Sequence, residues 1–360
     1  MSDELVVLAR GTLSPGPGGP NLRLSADQVS VTRDGAGAVR ASRRSCEDGG
    51  DTAVDTAVDA ARGLLAAAVS ALARAPVQSV LAEVRDLPGR GWRQLRVLAR
   101  IETSLGPLFT GLAAPCGAVA AGRGPDVPGG LAVPPYDVRP GEPPHGWRAL
   151  PLVMRPAVAA VPAAGTALLL ASRAARARTD RLDGRRLLGT LTLTDLPSAH
   201  PEAAADDAGH PADAIRLVEE GVLAPLRIEA ASGAPRGRAV WDHDRQALHP
   251  APQTRLRLAA PRAPVPDASL ELRWPIESLR RYDPDGLLSL ICVARASDRP
   301  ERCFAVRLRA RPQTLLRTVR GAVADAKPVA CADAHVTTPP LLLPTARELA
   351  AKGRCAVETL

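Results

Sequence analysis

Apolar and polar positions alternate along several stretches of the chain, and the alternation predicts strands with one buried face. Leu95, Val97, Ala99 and Ile101 alternate with Arg96, Arg100 and Glu102, interrupted only at Leu98. Before them, residues 5–10, Leu22–Ser25, Gln28–Arg33 and Ser79–Arg85 read as shorter strands. Leu105 to Ala114 reads as the hairpin partner of the 95–102 strand, turned at Gly106-Pro107. The pattern changes over Ala53 to Ala75, which is rich in Ala, Leu and Val and carries charge only at Asp55, Asp59, Arg62 and Arg74. This is a helix capped by Asp51 or Thr52, with acid early and base late as the helix dipole favours. A helix this apolar is expected to lie against a sheet. Gly11 to Pro20 and residues 34–50, rich in Gly, Pro and small polar residues, read as a connector and a loop.

Residues 121–149 break the pattern, with Gly, Pro, Asp, Arg and His145 and almost no aliphatic periodicity. They read as a linker. Beyond it the alternation resumes at Leu256 and Leu258, at Leu270, Leu272 and Trp274, and at Phe304, Val306 and Leu308, each interleaved with arginine or glutamate. Gly286 to Ala294 reads as a more fully apolar strand. Helices are expected at about 165–178, 314–325 and from Thr345 onward. Many strands with polar outer faces and few helices point to a mostly antiparallel sheet domain. The chain is therefore read as α+β, with an N-terminal α/β domain at 1–120, a linker at 121–149 and a β-rich domain at 150–360.

Composition narrows the function. The formal charge is +8, but all basic residues except Lys327 and Lys352 are arginine, spread along all 360 positions. Aromatic residues are 2 %, which leaves few platforms for stacked bases, so no nucleic-acid partner is expected. No apolar run reaches the roughly 18–20 residues a membrane span needs. Met1-Ser-Asp-Glu-Leu lacks a basic region ahead of an apolar one, so a cytoplasmic location is expected. The six cysteines form no CxxC pair and read as free thiols, with Cys292 and Cys303 as small hydrophobes in or beside strands.

Four pieces of the second half together resemble the TldD/PmbA (TldD/TldE) family of metallopeptidase-related proteins. Val158 to Leu170, with Pro162-Ala-Ala-Gly165, is similar to the family's valine-rich strand, Pro-x-Ala-Gly and apolar helix start. Leu187-Leu-Gly-Thr-Leu-Thr-Leu-Thr-Asp-Leu-Pro197 resembles its strand leading into Asp-x-Pro. Asp206-Asp-Ala-Gly-His-Pro211 followed by Leu217-Val-Glu-Glu-Gly-Val-Leu223 resembles its acidic-glycine loop and the segment after it. Thr337-Thr-Pro-Pro-Leu-Leu-Leu-Pro344 resembles its close. The order and spacing match over roughly 190 residues.

The resemblance implies a fold of TldD/PmbA type. In catalytic members a helix carries His-Glu-x-x-x-His, and two imidazoles with a distal cysteine hold zinc. Here Leu169 and Leu170 stand about where His-Glu would be, and Arg173-Ala174 about where the second His would be. Aliphatic side chains cannot ligate, and arginine repels a cation. Cys292 lies near the place of the family's cysteine, but Val293-Ala-Arg follows it instead of glycines. The resemblance thus implies a PmbA/TldE-like subunit with no catalytic or metal residue of its own. A zinc-bearing TldD-like partner would complete the heterodimer and act on a peptide or small amide, including peptide-derived natural products. Asp206, Asp207, Gly209, His210, Arg173 and Arg176 are the candidates for holding substrate or partner. A stand-alone binding or scaffold protein on a degenerate peptidase fold is the alternative, and an enzyme with a relocated metal site is a third reading.

Other chemistry-bearing residues carry less. His200 and His210 flank Asp206 and Asp207, but their spacing matches no standard ligand motif. Trp241-Asp-His-Asp-Arg245 with His249 reads as a polar hairpin tip, since no Gly-x-Ser-x-Gly elbow occurs anywhere. Pro15-Gly-Pro-Gly-Gly-Pro20 lacks the Lys-Ser/Thr of a phosphate loop.

Overall fold

The structure is a computed structural model. It describes residues 4–16, 19–33, 39–46, 52–72, 77–87, 92–103, 106–116, 142–170, 186–196, 210, 213–225, 235–242, 247–250, 255–276, 287–299, 303–331, 334–351, 353 and 355–360. The class is α+β, as expected, with the described residues mostly in sheets and four α-helices among them.

The N-terminal sheet is antiparallel throughout. It contains β1 (Glu4–Gly16), β2 (Gly19–Arg33), β3 (Val39–Cys46), β4 (Val77–Leu87), β5 (Trp92–Thr103) and β6 (Gly106–Cys116), in the order β3-β2-β1-β4-β5-β6. Helix α1 (Thr52–Ala71) lies against its central strands. The buried positions of the helix include Ala57, Ala61, Leu64, Leu65, Ala68 and Leu72. They meet Val80, Ala82 and Val84 of β4 and Leu95, Val97, Ala99 and Ile101 of β5. Both periodicities read from the sequence therefore face one core, the 3.6 of the helix and the 2 of the strands. Three expectations change here. The Gly11–Pro20 connector is mostly strand, because β1 and β2 pair as far as Gly16 with Gly19. The 34–50 loop contains β3, whose thin Val-Arg-Ala-Ser-Arg-Arg-Ser-Cys run is stabilised by its ladder to β2. Gly106 and Pro107 lie inside β6, with Thr103 paired to Gly106, so they are not the turn.

The second half holds two further sheets. The first is β10-β9-β8-β13-β19-β18, built from β8 (Thr192–Asp195), β9 (Ile215–Glu219), β10 (Val222–Leu223), β13 (Arg255–Ala259), β18 (Lys327–Cys331) and β19 (Ala334–Thr338). The other is β17-β20-β7-β14-β15-β16-β21, built from β7 (Pro151–Met154), β14 (Leu270–Pro275), β15 (Leu288–Ala296), β16 (Cys303–Ala310), β17 (Gly321–Ala322), β20 (Leu341–Thr345) and β21 (Ala356–Thr359). Their pairings are antiparallel except β13 with β19 and β14 with β7. A hairpin of β11 (Ala239–Asp242) and β12 (Ala247–Pro250) stands apart from both.

Helix α2 (Pro156–Leu170) lies between these two sheets, against β13, β18 and β19 on one side and β7 and β14 on the other. This corrects two expectations. The 157–165 stretch is helical, not a strand, and the helix starts nine residues before the expected 165. The physical reason is its surroundings. A helix enclosed by two sheets is apolar all round and shows no amphipathic period, so the sequence cannot separate it from a buried strand. Val158, Ala159, Ala160, Val161, Ala163 and Ala167 are all buried. Pro156 occupies the first turn, where its missing N–H costs nothing. The amides of Val158 and Ala159 both donate to Arg155 O at 2.9 Å.

Two shorter helices complete the fold, α3 (Pro312–Arg317) and α4 (Ala346–Ala351). The helix expected at 314–325 ends at Arg317, and Gly321, at φ 153°, starts β17. Trp147, in the stretch read as linker, is buried against Phe304 edge to face, with ring centroids 6.0 Å apart. Among the described residues no helix is long and apolar enough to cross a membrane.

Candidate functional site

Of the segments that carry the resemblance, 187–196 and Leu217–Leu223 meet at the β8–β9–β10 edge, Val158–Leu170 lies in α2, and Thr337–Pro344 runs through β19 and β20. Glu220 and Gly221 have φ values of 46° and 85° and form the two-residue turn that joins β9 to β10, the left-handed pair that matches the twist of a hairpin. The turn folds onto residues 187–191. Gly221 N–H donates to Leu191 O at 2.7 Å, Leu188 N–H donates to Gly221 O at 3.1 Å, and Glu220 N–H donates to the Thr192 hydroxyl at 3.1 Å. A Cβ on Gly221 would lie 1.8 Å from Gly189 O. Gly221 is thus pressed against the backbone of residue 189, while Gly189 has its own reasons to be glycine, a φ of 67° and Arg317 O 3.0 Å from where its Cβ would lie.

At the end of β8 away from this turn lies Asp195, which is 1 % exposed. Arg238 Nε donates to Asp195 Oδ2 at 2.7 Å. The same guanidinium donates to three backbone carbonyls, Gly237 O at 2.7 Å, Asp195 O at 3.0 Å and Asp213 O at 2.8 Å. One buried fork therefore joins the end of β8, the chain entering β9 and the chain entering β11. Burial pushes the Asp195 carboxyl up to about 6 from 3.8, against the opposing pull of Arg238. Asp195 was visible in sequence as the aspartate closing a strand. Arg238 carried no signal, because it sits 43 residues away among many arginines.

At the C-terminal end of α2, Leu168 is 56 % exposed, Leu169 is half-buried and Leu170 is buried. Leu169 and Leu170 therefore lie at the end of the helix, and their aliphatic side chains offer no donor atom. Ala174, Arg173, Arg176, Asp206, Asp207 and Gly209 lie outside the described residues, as do His200 and His243. His210 is half-buried. The backbone of Trp241, Asp242 and His249 lies in the β11–β12 hairpin. Among the described residues no three His, Cys, Asp or Glu side chains converge as metal ligands would. Cys292, Cys303, Cys331 and Cys355 are buried, and burial pushes the Cys292 and Cys355 thiols up to about 12. A thiol held neutral in this way is inert as a nucleophile or ligand.

Two further groupings escaped the sequence reading. Glu271 on β14 is approached by Arg155, Arg273 and Arg295. His335 on β19 is held neutral, its pKa lowered to about 3, by burial and by Arg96 and Arg255. Arg96 comes from the N-terminal sheet and donates to Glu83 at 2.6 Å, so this histidine lies where β5 approaches the second half.

The described residues thus place a helix between two sheets, preceded in the chain by a separate antiparallel sheet bearing one helix. Among solved structures this fold is similar to that of TldE from Thermococcus kodakarensis, with a TM-score of 0.58 over 95 % of this chain and 96 % of that one. Identity is 12 %, so the likeness is one of fold. No family profile and no curated protein matches the sequence.

Proposed function

We propose that this chain is the non-catalytic subunit of a TldD/TldE-like heterodimeric zinc metallopeptidase. It closes the chamber in which a zinc-bearing partner cleaves a peptide or small amide. The reading is supported by a TldE-like fold, spanning nearly the whole of both chains, and by leucines at the positions of α2 where the sequence resemblance implies ligands. A metal centre needs nitrogen, sulfur or oxygen donors on one face of that helix. Leu168, Leu169 and Leu170 supply none, so no catalytic step is assigned to this chain, and zinc and the attacking water belong to the partner. Leu168 offers an apolar contact at the helix end where a partner or an extended substrate would lie. Substrate in extended form would be held by backbone bonds to a strand edge, as peptides are in strand addition.

The test is co-expression with a TldD-like chain bearing His-Glu-x-x-x-His, followed by size-exclusion chromatography and an amide-hydrolysis assay. Co-elution, with hydrolysis that requires both chains, is the expected result. A stable homodimer that never captures the zinc-bearing chain, with hydrolysis independent of it, would sink the proposal and favour the scaffold reading.

A further inference from the structure

At the N-terminal end of α2, opposite the end bearing Leu169 and Leu170, three guanidinium groups converge on one carboxylate. Arg155 directly precedes the helix and its amide donates to Leu272 O at 2.8 Å, which fixes it beside β14. Its Nη2 donates to Glu271 Oε1. Arg295, opposite Glu271 in the β14–β15 ladder, donates from Nη2 to Glu271 Oε2 at 3.2 Å. Arg273 Nη1 lies 3.9 Å from the same oxygen, and its guanidinium lies over the Trp274 ring, 4.5 Å from the centroid.

The charges do not balance. Glu271 is the one carboxylate within ion-pair distance of these arginines among the described residues. Three positive charges against one negative leave an excess of two. The carboxylate is 9 % exposed, whereas the arginine side chains are 37 %, 25 % and 26 % exposed, so the excess charge faces outward. The hydrogen bonding is incomplete as well. The Nε atoms of Arg155 and Arg295 are buried and have no partner among the described residues. Burial, then Arg295, lowers the Arg273 pKa, and Arg155 adds to this while Glu271 opposes it. Concentrated like charge with idle donors is costly unless an anion completes it.

We propose that Arg155, Arg273 and Arg295 form a recognition site for a ligand carboxylate, with Glu271 as the internal carboxylate that holds the forks in place. The planar guanidinium fork matches a carboxylate with two parallel bonds, as a lysine ammonium would not. Stacking on Trp274 holds the Arg273 fork in position. The carboxylate belongs either to a peptide C-terminus or to a small organic acid. The site is complete within this chain, so it stands or falls separately from the partner reading.

The test is calorimetric titration of the purified full-length chain with three probes: succinate, an N-acetylated tripeptide with a free C-terminal carboxylate, and the same tripeptide amidated. Binding of succinate or the free-acid peptide is expected, and which of them binds assigns the source. The amidated peptide is expected not to bind. Arg273→Gln, with far-UV circular dichroism to verify the fold, weakens binding about tenfold, the worth of one charge-assisted hydrogen bond. Arg273→Lys, which keeps the charge, weakens it as well because the fork is lost. The proposal is overturned if no carboxylate binds, if the amidated peptide binds equally, or if the folded Arg273 variants leave affinity unchanged.

Discussion

Arg238 Nε donates to Asp195 Oδ2 at 2.7 Å, with the two side chains 6 % and 1 % exposed. Removing one member of such a pair strands a buried charge, which costs about 3–5 kcal/mol. Arg238→Met is therefore expected to lower stability by about 3–5 kcal/mol at pH 7, measured by urea denaturation. The double variant Asp195→Leu/Arg238→Met is expected to cost less than the sum of the two single changes. It does not return to wild type, because the carbonyls of Asp195, Asp213 and Gly237 lose their donor.

The same pair sets a pH dependence. Between 3.8 and about 6 the folded chain keeps a proton on Asp195 that the unfolded chain has released. The stability this carboxyl contributes is full below 3.8 and is lost as pH rises through about 6. The stability difference between wild type and Asp195→Asn is expected to shrink across that window. A difference that stays constant from pH 4 to 7 contradicts the assignment.

His335 acts in the opposite direction. Its folded pKa, about 3, lies below the ordinary 6.5, so the unfolded chain takes up a proton that the folded chain refuses. Its contribution is full above 6.5 and is lost as pH falls toward 3. His335→Gln is expected to flatten the acid limb of the stability profile. An imidazole seen by NMR to titrate near pH 6.5 in the folded protein would refute it.

Gly221 is the position least open to a side chain. At φ 85°, with a Cβ 1.8 Å from a backbone oxygen, Gly221→Ala combines left-handed strain with a collision. A loss of more than about 2 kcal/mol is expected from the strain alone. Gly353, at φ 58° with open space around it, serves as the control and is expected to lose less on the same substitution.

The tail helix carries a reciprocal cap. The Thr345 hydroxyl accepts from Glu348 N–H at 3.1 Å, and Glu348 Oε2 accepts from Thr345 N–H at 2.8 Å. Thr345→Ala is expected to cost about 1 kcal/mol in thermal or chemical unfolding. The Thr345 amide, followed by the Arg320 guanidinium, holds the Glu348 carboxyl below its usual range. Its contribution is present above the unfolded carboxylate pKa and is lost as pH falls.

The sequence by itself determined the elements with a visible period. Helix α1 and strands β4, β5, β13, β14 and β16 stand where their alternation put them, because the apolar residues that recur in each are the ones the fold buries, and that recurrence is written in residue order. The glycines 189 and 221 and Asp195 were also visible as parts of motif pieces. Tertiary structure decided the rest. It made α2 a helix, because enclosure by two sheets erases the contrast on which periodicity depends. It made β3 a strand, since a ladder to β2 outweighs a weak local preference. It also chose Arg238 from among many arginines to meet Asp195, and gathered Arg155, Arg273 and Arg295 around Glu271. Those partners lie up to 116 residues apart along the chain, and long-range pairing of charge is a property of folded space that a local reading of sequence does not contain.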